Sequence, residues 1–550
     1  MNAAATDRAV TGAGPRRDPG SLTGVGTLVR FLLRRDRIKL PAWTGALGLF
    51  VVYLTAAFPQ IAGTEEELRN ASALFNDPVG RMLIGPGYGF DDPTFERFLA
   101  NGYGLYFALG TALMSILLVV RHTRLEEQTG RAELIRANGV GRSAQLTAAM
   151  LVAVITNLVA ATIVAGMMIV VGGYTPYGSL VFAVSLAATG LAFAGVTAIT
   201  AQLSPYSRGA AGLAGAVLGA SFLIRAGGDM AADGGTWPSW LSPLAWGQQT
   251  APFVLDRWWP LGLSVAFAAA TTGVGYALAA RRDLGAGVLT TRPGAREAAP
   301  RLGTPLGLAA RLQRGNLLGW GAGLAVGGLA YGGYTNAIAD AFVDLPEVFL
   351  ELFGAEDMIA GYLAYIATFM AFLVGAYAIM AITSLRNEET GGRAEPVLAT
   401  PLSRTVWLGS HLVVVTVGSV VLLAVTGLFT GIAAASVVGD SGLVWDLTLA
   451  HLNQAPAVWV VLGVAVALFG VFPRAVPATW ALVVYGLIAG TFGPLLDLPE
   501  LALDLSPFAH PAEIPLEDLA LAPLLVLTAT AVVLAGVGLL AFRRRDLDLT

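Results

Sequence analysis

Twelve apolar stretches, each near 20 residues long and spread from end to end of the chain, constrain its fold more than any other feature. They cover residues 40–58, 102–120, 145–172, 178–203, 209–225, 261–280, 316–335, 361–384, 409–437, 454–472, 476–496 and 521–542. A helix rising 1.5 Å per residue needs about 20 such residues to cross ~30 Å of hydrocarbon. Lipid offers no hydrogen bonds, so each span must satisfy its own backbone. The chain is therefore expected to be an all-α polytopic membrane protein with twelve transmembrane helices. Its 550 residues are 55% hydrophobic and 13% charged, with a mean hydropathy of +0.67, which excludes an ordinary soluble domain. Cysteine is absent, and the four histidines, His122, His411, His451 and His510, lack ligand spacing. Disulfide, thiolate and cysteine-metal chemistry are thereby excluded, and no metal site or catalytic residue is expected.

Arginine placement sets the orientation, because basic residues accumulate on cytoplasmic loops. The loop after the second stretch carries Arg121, Arg124, Arg131, Arg136 and Arg142, and Arg543, Arg544 and Arg545 follow the last stretch. In the second half, the segments on the opposite side are acidic, with Asp340, Asp344, Glu347, Glu351, Glu356 and Asp357 in one, and Asp497, Glu500, Asp504, Glu513, Glu517 and Asp518 in the other. Both termini are expected to be cytoplasmic. Residues 1–21 read as a disordered cytoplasmic tail without the apolar core of a signal peptide. From Leu22 to Lys39, apolar residues alternate with arginines, as in a helix lying in the inner headgroup layer. On the other face, residues 59–101 are long enough for short helices. Five tryptophans in residues 226–260, Trp237, Trp240, Trp246, Trp258 and Trp259, suit an interfacial segment.

The second constraint is a duplication. Residues 124–133 (RLEEQTGRAE) return as residues 386–395 (RNEETGGRAE), identical at seven of ten positions and offset by 262. Arg142 and Arg404 keep that offset, Leu241–Ala245 returns as Leu505–Ala509, and Arg281–Leu284 as Arg544–Leu547. Two parallel six-helix repeats related by an axis along the membrane normal follow from this spacing. The expected organisation is a tail over 1–21, a first six-helix half over 22–284, a cytoplasmic linker over 285–310 and a second six-helix half over 311–550.

Within each loop, Glu127 with Arg131 and Glu389 with Arg393 are spaced for i,i+4 ion pairs. Gly130 and Gly392 then interrupt the helix. The expected product is a rigid charged helix–turn element beneath the second and third spans of each half. A topogenic loop would need only the arginines; it gives no reason to retain Glu126, Glu127, Gly130 and Glu133 alongside Glu388, Glu389, Gly392 and Glu395. The only lysine, Lys39, lies between Ile38 and Leu40, so the Gly-Lys-[Ser/Thr] step of a phosphate-binding P-loop is absent.

Residues 388–404 (EETGGRAEPVLATPLSR) resemble the loop after the second span of ABC-2-type ABC transporter permeases, and the duplicated twelve-span layout resembles actinobacterial exporters of polyketide antibiotics of the tetronasin-resistance type. The first loop departs from the pattern, with Asn138-Gly-Val-Gly-Arg142 in place of Thr-Pro-Leu-Ser-Arg. The resemblance implies a type V ABC exporter-like fold and a permease subunit, not itself an enzyme, in a multi-pass plasma-membrane complex. Its loops 121–144 and 385–408 would dock separate P-loop ATPase subunits, two copies, that bind the ATP and Mg. Arg124, Glu126, Glu127, Gly130, Arg131, Glu133 and Arg142, with Arg386, Glu388, Glu389, Gly392, Arg393, Glu395 and Arg404, would form the coupling loops. Leu22–Lys39 and Leu306–Arg314 occupy the places of the family's interfacial helices. If the second and fifth spans face the axis, as in similar exporters, Phe107, Met114, Phe222, Phe369, Trp480 and Tyr485 would line a cavity for a hydrophobic or amphipathic small molecule. The rival reading is an ion-coupled transporter of the major facilitator type, but no Asp or Glu is expected well inside any span, where ion coupling would place one. An intramembrane enzyme would need convergent acids or bases, and Asp91-Asp92 before Pro93 reads instead as a helix-start turn.

Overall fold

The computed structural model describes residues 20–289, 296–336, 358–492 and 499–547. The tail at 1–19, part of the linker at 290–295, the acidic segment holding Asp340 to Asp357, and Asp497 lie outside the described residues. Among the described residues ten helices are long and apolar enough to cross a membrane, and none of these residues forms a strand. The other two expected positions are also helical, at Pro305–Gly333 and over the 14 residues Thr479–Phe492.

The chain divides into two compact units, Met1–Gln60 with Ile84–Arg292, and Ile61–Leu83 with Pro293–Thr550. In the first, α1 (Val25–Arg35) turns into α2 (Lys39–Ile61). The spans continue as α6 (Gly104–His122), α9 (Ala144–Val170), α10 (Pro176–Leu203), α11 (Ser207–Met230) and α13 (Trp259–Arg281). Between them lie the short helices α3 (Glu65–Asn76), α4 (Pro78–Ile84), α5 (Phe95–Arg97), α7 (Arg124–Gln128), α8 (Arg131–Ala137) and α12 (Ala245–Gln248), of which α3 and most of α4 group with the second unit. Helix α10 is the hub and packs on α6, α9, α11 and α13. Its small face lets backbones approach, as small residues do in membrane bundles: a Cβ added at Gly195 would fall 2.9 Å from Ala268 O of α13.

The second unit begins with α14 (Pro305–Gly333) and follows with α15 (Met358–Thr390), α16 (Ala394–Leu398), α17 (Arg404–Val438), α18 (Leu443–Asn453), α19 (Ala455–Val471), α20 (Thr479–Phe492), α21 (Glu500–Leu503) and α22 (Leu521–Arg544). Its core collects Tyr377, Leu408, Val461, Phe469 and Phe542. Where α19 crosses α22 both strips are glycine: a Cβ on Gly470 would meet Gly538 O, and one on Gly538 would meet Val466 O.

Three expectations need correction. Leu306–Arg314 is not a separate helix; it is the first part of the continuous α14, which runs through Gly315-Asn316 without the break that Asp36–Ile38 makes between α1 and α2. The start of the linker is not a free tether, since Val288 and Leu289 N–H donate to Gln202 and Leu203 carbonyls at 2.9 and 3.0 Å. The fifth span does not stop at Arg225. Helix α11 continues to Met230 and buries an ion pair, Arg225 Nη1 to Asp229 Oδ2 at 2.9 Å, both side chains fully inaccessible. An acidic residue therefore does lie in a span helix, neutralised within its own turn and bonded by Ser239 Oγ at 2.6 Å. Asp91-Asp92 precedes a helix start as expected: Thr94 caps α5, and Asp92 pairs with Arg97.

Candidate functional site

The duplicated motif becomes a bent helical element in both units. In the first, α6 ends at His122, α7 follows at once, and Gly130 turns the chain into α8 at φ +74°. In the second, α15 runs unbroken to Thr390, and Gly392 turns into α16 at φ +70°. A Cβ at either glycine would have open space around it, so the left-handed backbone alone selects glycine. The second element then enters α17 through a side-chain cap, Val406 N–H to Ser403 Oγ at 3.2 Å; the first has Gly141 at that position, and Ser143, which precedes α9, makes no cap bond.

The expected i,i+4 pairs do not form. The helices end at Gln128 and Thr390, three residues before Arg131 and Arg393, the left-handed glycine turns the chain between them, and the arginines turn elsewhere. Arg131 approaches Glu126 at 3.8 Å, and Arg393 binds Glu388 at 2.8 and 3.0 Å. That Glu388 hydrogen bond holds the Arg393 guanidinium above its usual pKa.

The second glutamate of each motif points inward. Glu127 accepts from Arg282 Nη2 at 2.6 Å and Nη1 at 2.8 Å, and from Arg124 Nη1 at 3.0 Å. Glu389 accepts from Arg545 Nη1 and Nη2 at 2.6 and 2.7 Å. Arg282 and Arg545 are the second arginines of the repeated Arg-Arg-Asp at the ends of α13 and α22. The motif's later arginine repeats the pattern: Arg142 donates to Ala280 O at 2.6 Å and Arg282 O at 3.3 Å, and Arg404 donates to Arg545 O. Each element is thus bolted twice to the end of the last helix of its unit. Bidentate arginine–carboxylate geometry fixes orientation as well as distance. The Arg545 guanidinium also lies over the Phe469 and Phe542 rings at 5.2 and 5.0 Å.

The elements differ in what else holds them. Arg124 is fully buried and donates through Nε to Ala201 O at 2.8 Å and through Nη1 to Ala286 O at 3.1 Å. Its counterpart Arg386 is half-buried, with Nε unpartnered. The first element is also clamped to α1. Arg35 donates to Glu126 at 2.8 Å and meets His122 Nδ1 at 2.9 Å, while the Asp36 carboxylate lies 3.0 Å from His122 Nε2 and from Arg121 Nη2. Sequence reasoning missed this clamp, yet a signal existed. Arg-Arg-Asp also occurs at 34–36, and there too the second arginine binds a glutamate of the loop; a further copy at 16–18 lies outside the described residues.

The side chains that face outward include Gln128, Arg131, Glu133, Arg142 and a 70% exposed Leu134 on the first element, and Asn387, Arg393, Glu395 and Pro396 on the second. Arg404 is half-buried, as are Gly130 and Gly392.

The expected cavity residues have diverse surroundings. Phe107 is core, packed on Phe50 and Phe182 at 4.8 and 5.6 Å. Met114 is nearly inaccessible on the wall of a 390 Å³ cavity near α1. Phe222 lies beneath Arg225 at 5.1 Å. Phe369 stacks on Tyr365 and borders a 570 Å³ groove along α14. Trp480 is 38% exposed, and the Tyr485 hydroxyl donates to Ala502 O. On the other face, Trp240 stacks on Trp259 at 4.9 Å and accepts, through its carbonyl, the Trp246 indole N–H at 2.7 Å.

An all-helical fold with ten helices long and apolar enough to cross a membrane among the described residues defines a polytopic membrane protein. The family described as "Multidrug efflux system permease Rv1217c, C-terminal domain" matches over residues 26–278 and 302–543. The chain is 39% identical over 538 residues, 97% of its length and 96% of the relative's, to the multidrug efflux system permease protein Rv1217c of Mycobacterium tuberculosis (strain ATCC 25618 / H37Rv). It belongs to this family of ABC-type efflux permeases.

Proposed function

We propose that the chain is the transmembrane subunit of an ATP-driven exporter that moves hydrophobic or amphipathic compounds out of an actinobacterial cell through the plasma membrane. It spans the bilayer twelve times as two parallel six-helix repeats with both termini inside. Two copies of a separate P-loop ATPase, carrying the ATP and Mg, dock on loops 121–144 and 385–408, and their closure rocks the halves in alternating access. The observation that carries this reading is the recurrence of one bolt: Glu127 to Arg282, and Glu389 to Arg545. A push on either loop is delivered to the end of the sixth helix of its half as well as to the second and third. The two stretches matched by the family coincide with the two proposed halves, and the relative's name supports efflux of several drugs. Ion coupling is disfavoured because the carboxylate buried in a span helix away from the loops, Asp229, is already paired with Arg225.

Affinity purification in mild detergent tests the reading. A P-loop ATPase should accompany the chain at two copies per permease, and efflux should survive a protonophore while ATP is present. A chain that purifies alone and loses efflux when the proton gradient collapses would reverse the assignment.

A further inference from the structure

The 390 Å³ cavity of the first unit borders the coupling loop at Arg121 and Leu125, and its chemistry is polarised. It is lined by the start of α2, the end of α6 and the start of α11. On each helix the cation sits at the same end: Lys39 opens α2, Arg121 closes α6 and Arg208 opens α11. Deeper in, the wall is apolar, with Leu40, Trp43, Leu117 and Met114. Along α6, Met114 lies seven residues from Arg121, about 10 Å by helical rise. The one carboxylate in the wall, Asp36, is already held by Arg121 and His122. Lys39 and Arg208 are exposed and have no ion-pair partner among the described residues. Lys39 is moreover the only lysine in the chain. Ser207, also in the wall, begins a 24-residue helix whose N-terminal dipole adds to the positive field.

We infer that this cavity binds an anionic phospholipid of the inner leaflet, with its phosphate between Lys39, Arg121 and Arg208 and one acyl chain against Trp43, Leu117 and Met114. The inference rests on the cytoplasmic placement of these helix ends proposed above. The volume suits a headgroup and the upper part of one chain, and unpaired cations at the headgroup level favour an anionic over a zwitterionic lipid. Because Arg121 also holds Asp36, the lipid would brace the elbow that ties α1 to the first coupling element.

Native mass spectrometry of the full chain in mild detergent, titrated with dioleoyl-phosphatidylglycerol or dioleoyl-phosphatidylcholine, tests this. Wild-type protein should retain one phosphatidylglycerol in preference to phosphatidylcholine. Lys39→Gln with Arg208→Gln should weaken that binding about 30-fold, two basic residues' worth of headgroup attraction. Arg30→Gln with Arg37→Gln, which removes two exposed charges of the same elbow outside the cavity, should leave it unchanged. Met114→Trp should abolish binding by filling the apolar end without altering charge. Equal retention of the two lipids, equal loss in both double variants, or displacement of the lipid by millimolar inorganic phosphate would overturn the inference. ATPase co-purification is read separately, so failure here and failure of the exporter reading are distinct outcomes.

Discussion

Glu389, fully buried, receives both terminal nitrogens of Arg545 at 2.6 and 2.7 Å across 156 residues of chain. The glutamate that looks most like a docking contact in the sequence is therefore an internal fastener, and so is Glu127. This sorts the duplicated loop into a buried half that holds its shape and an exposed half free to meet a partner.

Breaking the fastener from either side should be costly. Glu389→Ala leaves the Arg545 guanidinium against the Phe469 and Phe542 rings without its anion, and Arg545→Ala leaves a buried carboxylate unpaired. Each should destabilise the second unit by ~3 kcal/mol, read as a lower melting temperature in detergent. The double variant should be less destabilised than the sum of the two singles, the mark of a direct pair. Arg545→Lys should recover only part of the loss, since an ammonium cannot make the bidentate contact.

The glycines offer a contrast. At Gly130 and Gly392 a Cβ meets nothing, so Gly130→Ala or Gly392→Ala should cost only the left-handed strain, ~1 kcal/mol, and leave efflux largely intact. At Gly470 and Gly538 a Cβ would strike backbone oxygen of the facing helix. Gly538→Ala should force α19 and α22 apart and lower the melting temperature much further than either loop substitution.

The ion pair of α11 separates exporter from ion-coupled transporter. Arg225→Ala should leave the buried Asp229 without its counter-charge at a cost of ~3 kcal/mol, whereas the joint replacement Arg225→Met with Asp229→Leu should retain near-wild-type stability. Efflux by the joint variant should persist. Its abolition with normal folding would make Asp229 a coupling carboxylate.

Much of this was legible from sequence for a physical reason: lipid forces helices to announce themselves by length and hydropathy, and an internal duplication exposes which charges are kept. Partners were not legible. Glu127 sits four residues before Arg131, and local spacing favours that pair, but the φ of +74° at Gly130 removes it, and the true partner lies 155 residues away. Hydropathy also ended the fifth span at its first charge, Arg225, because a window average cannot see that Asp229 one turn later cancels it. The clamp from Arg35 and Asp36 to Glu126 and His122 was hidden for the same reason, although the recurring Arg-Arg-Asp tripeptide pointed to it.

The exposed half of the loop carries the sharpest prediction. Leu134 is 70% exposed on α8, flanked by Glu133 and three residues after Arg131. An apolar side chain that stands out on a charged surface element has no internal role, and such residues anchor interfaces when covered. Leu134→Asp should therefore leave the stability within ~0.5 kcal/mol of wild type, as surface substitutions do, while sharply reducing ATPase recovered in affinity purification and efflux with it. Glu389→Ala should show the opposite order, with stability falling first. If Leu134→Asp purifies with its full complement of ATPase, the docking surface lies elsewhere on the loop, and the division of the motif into a holding half and a meeting half fails.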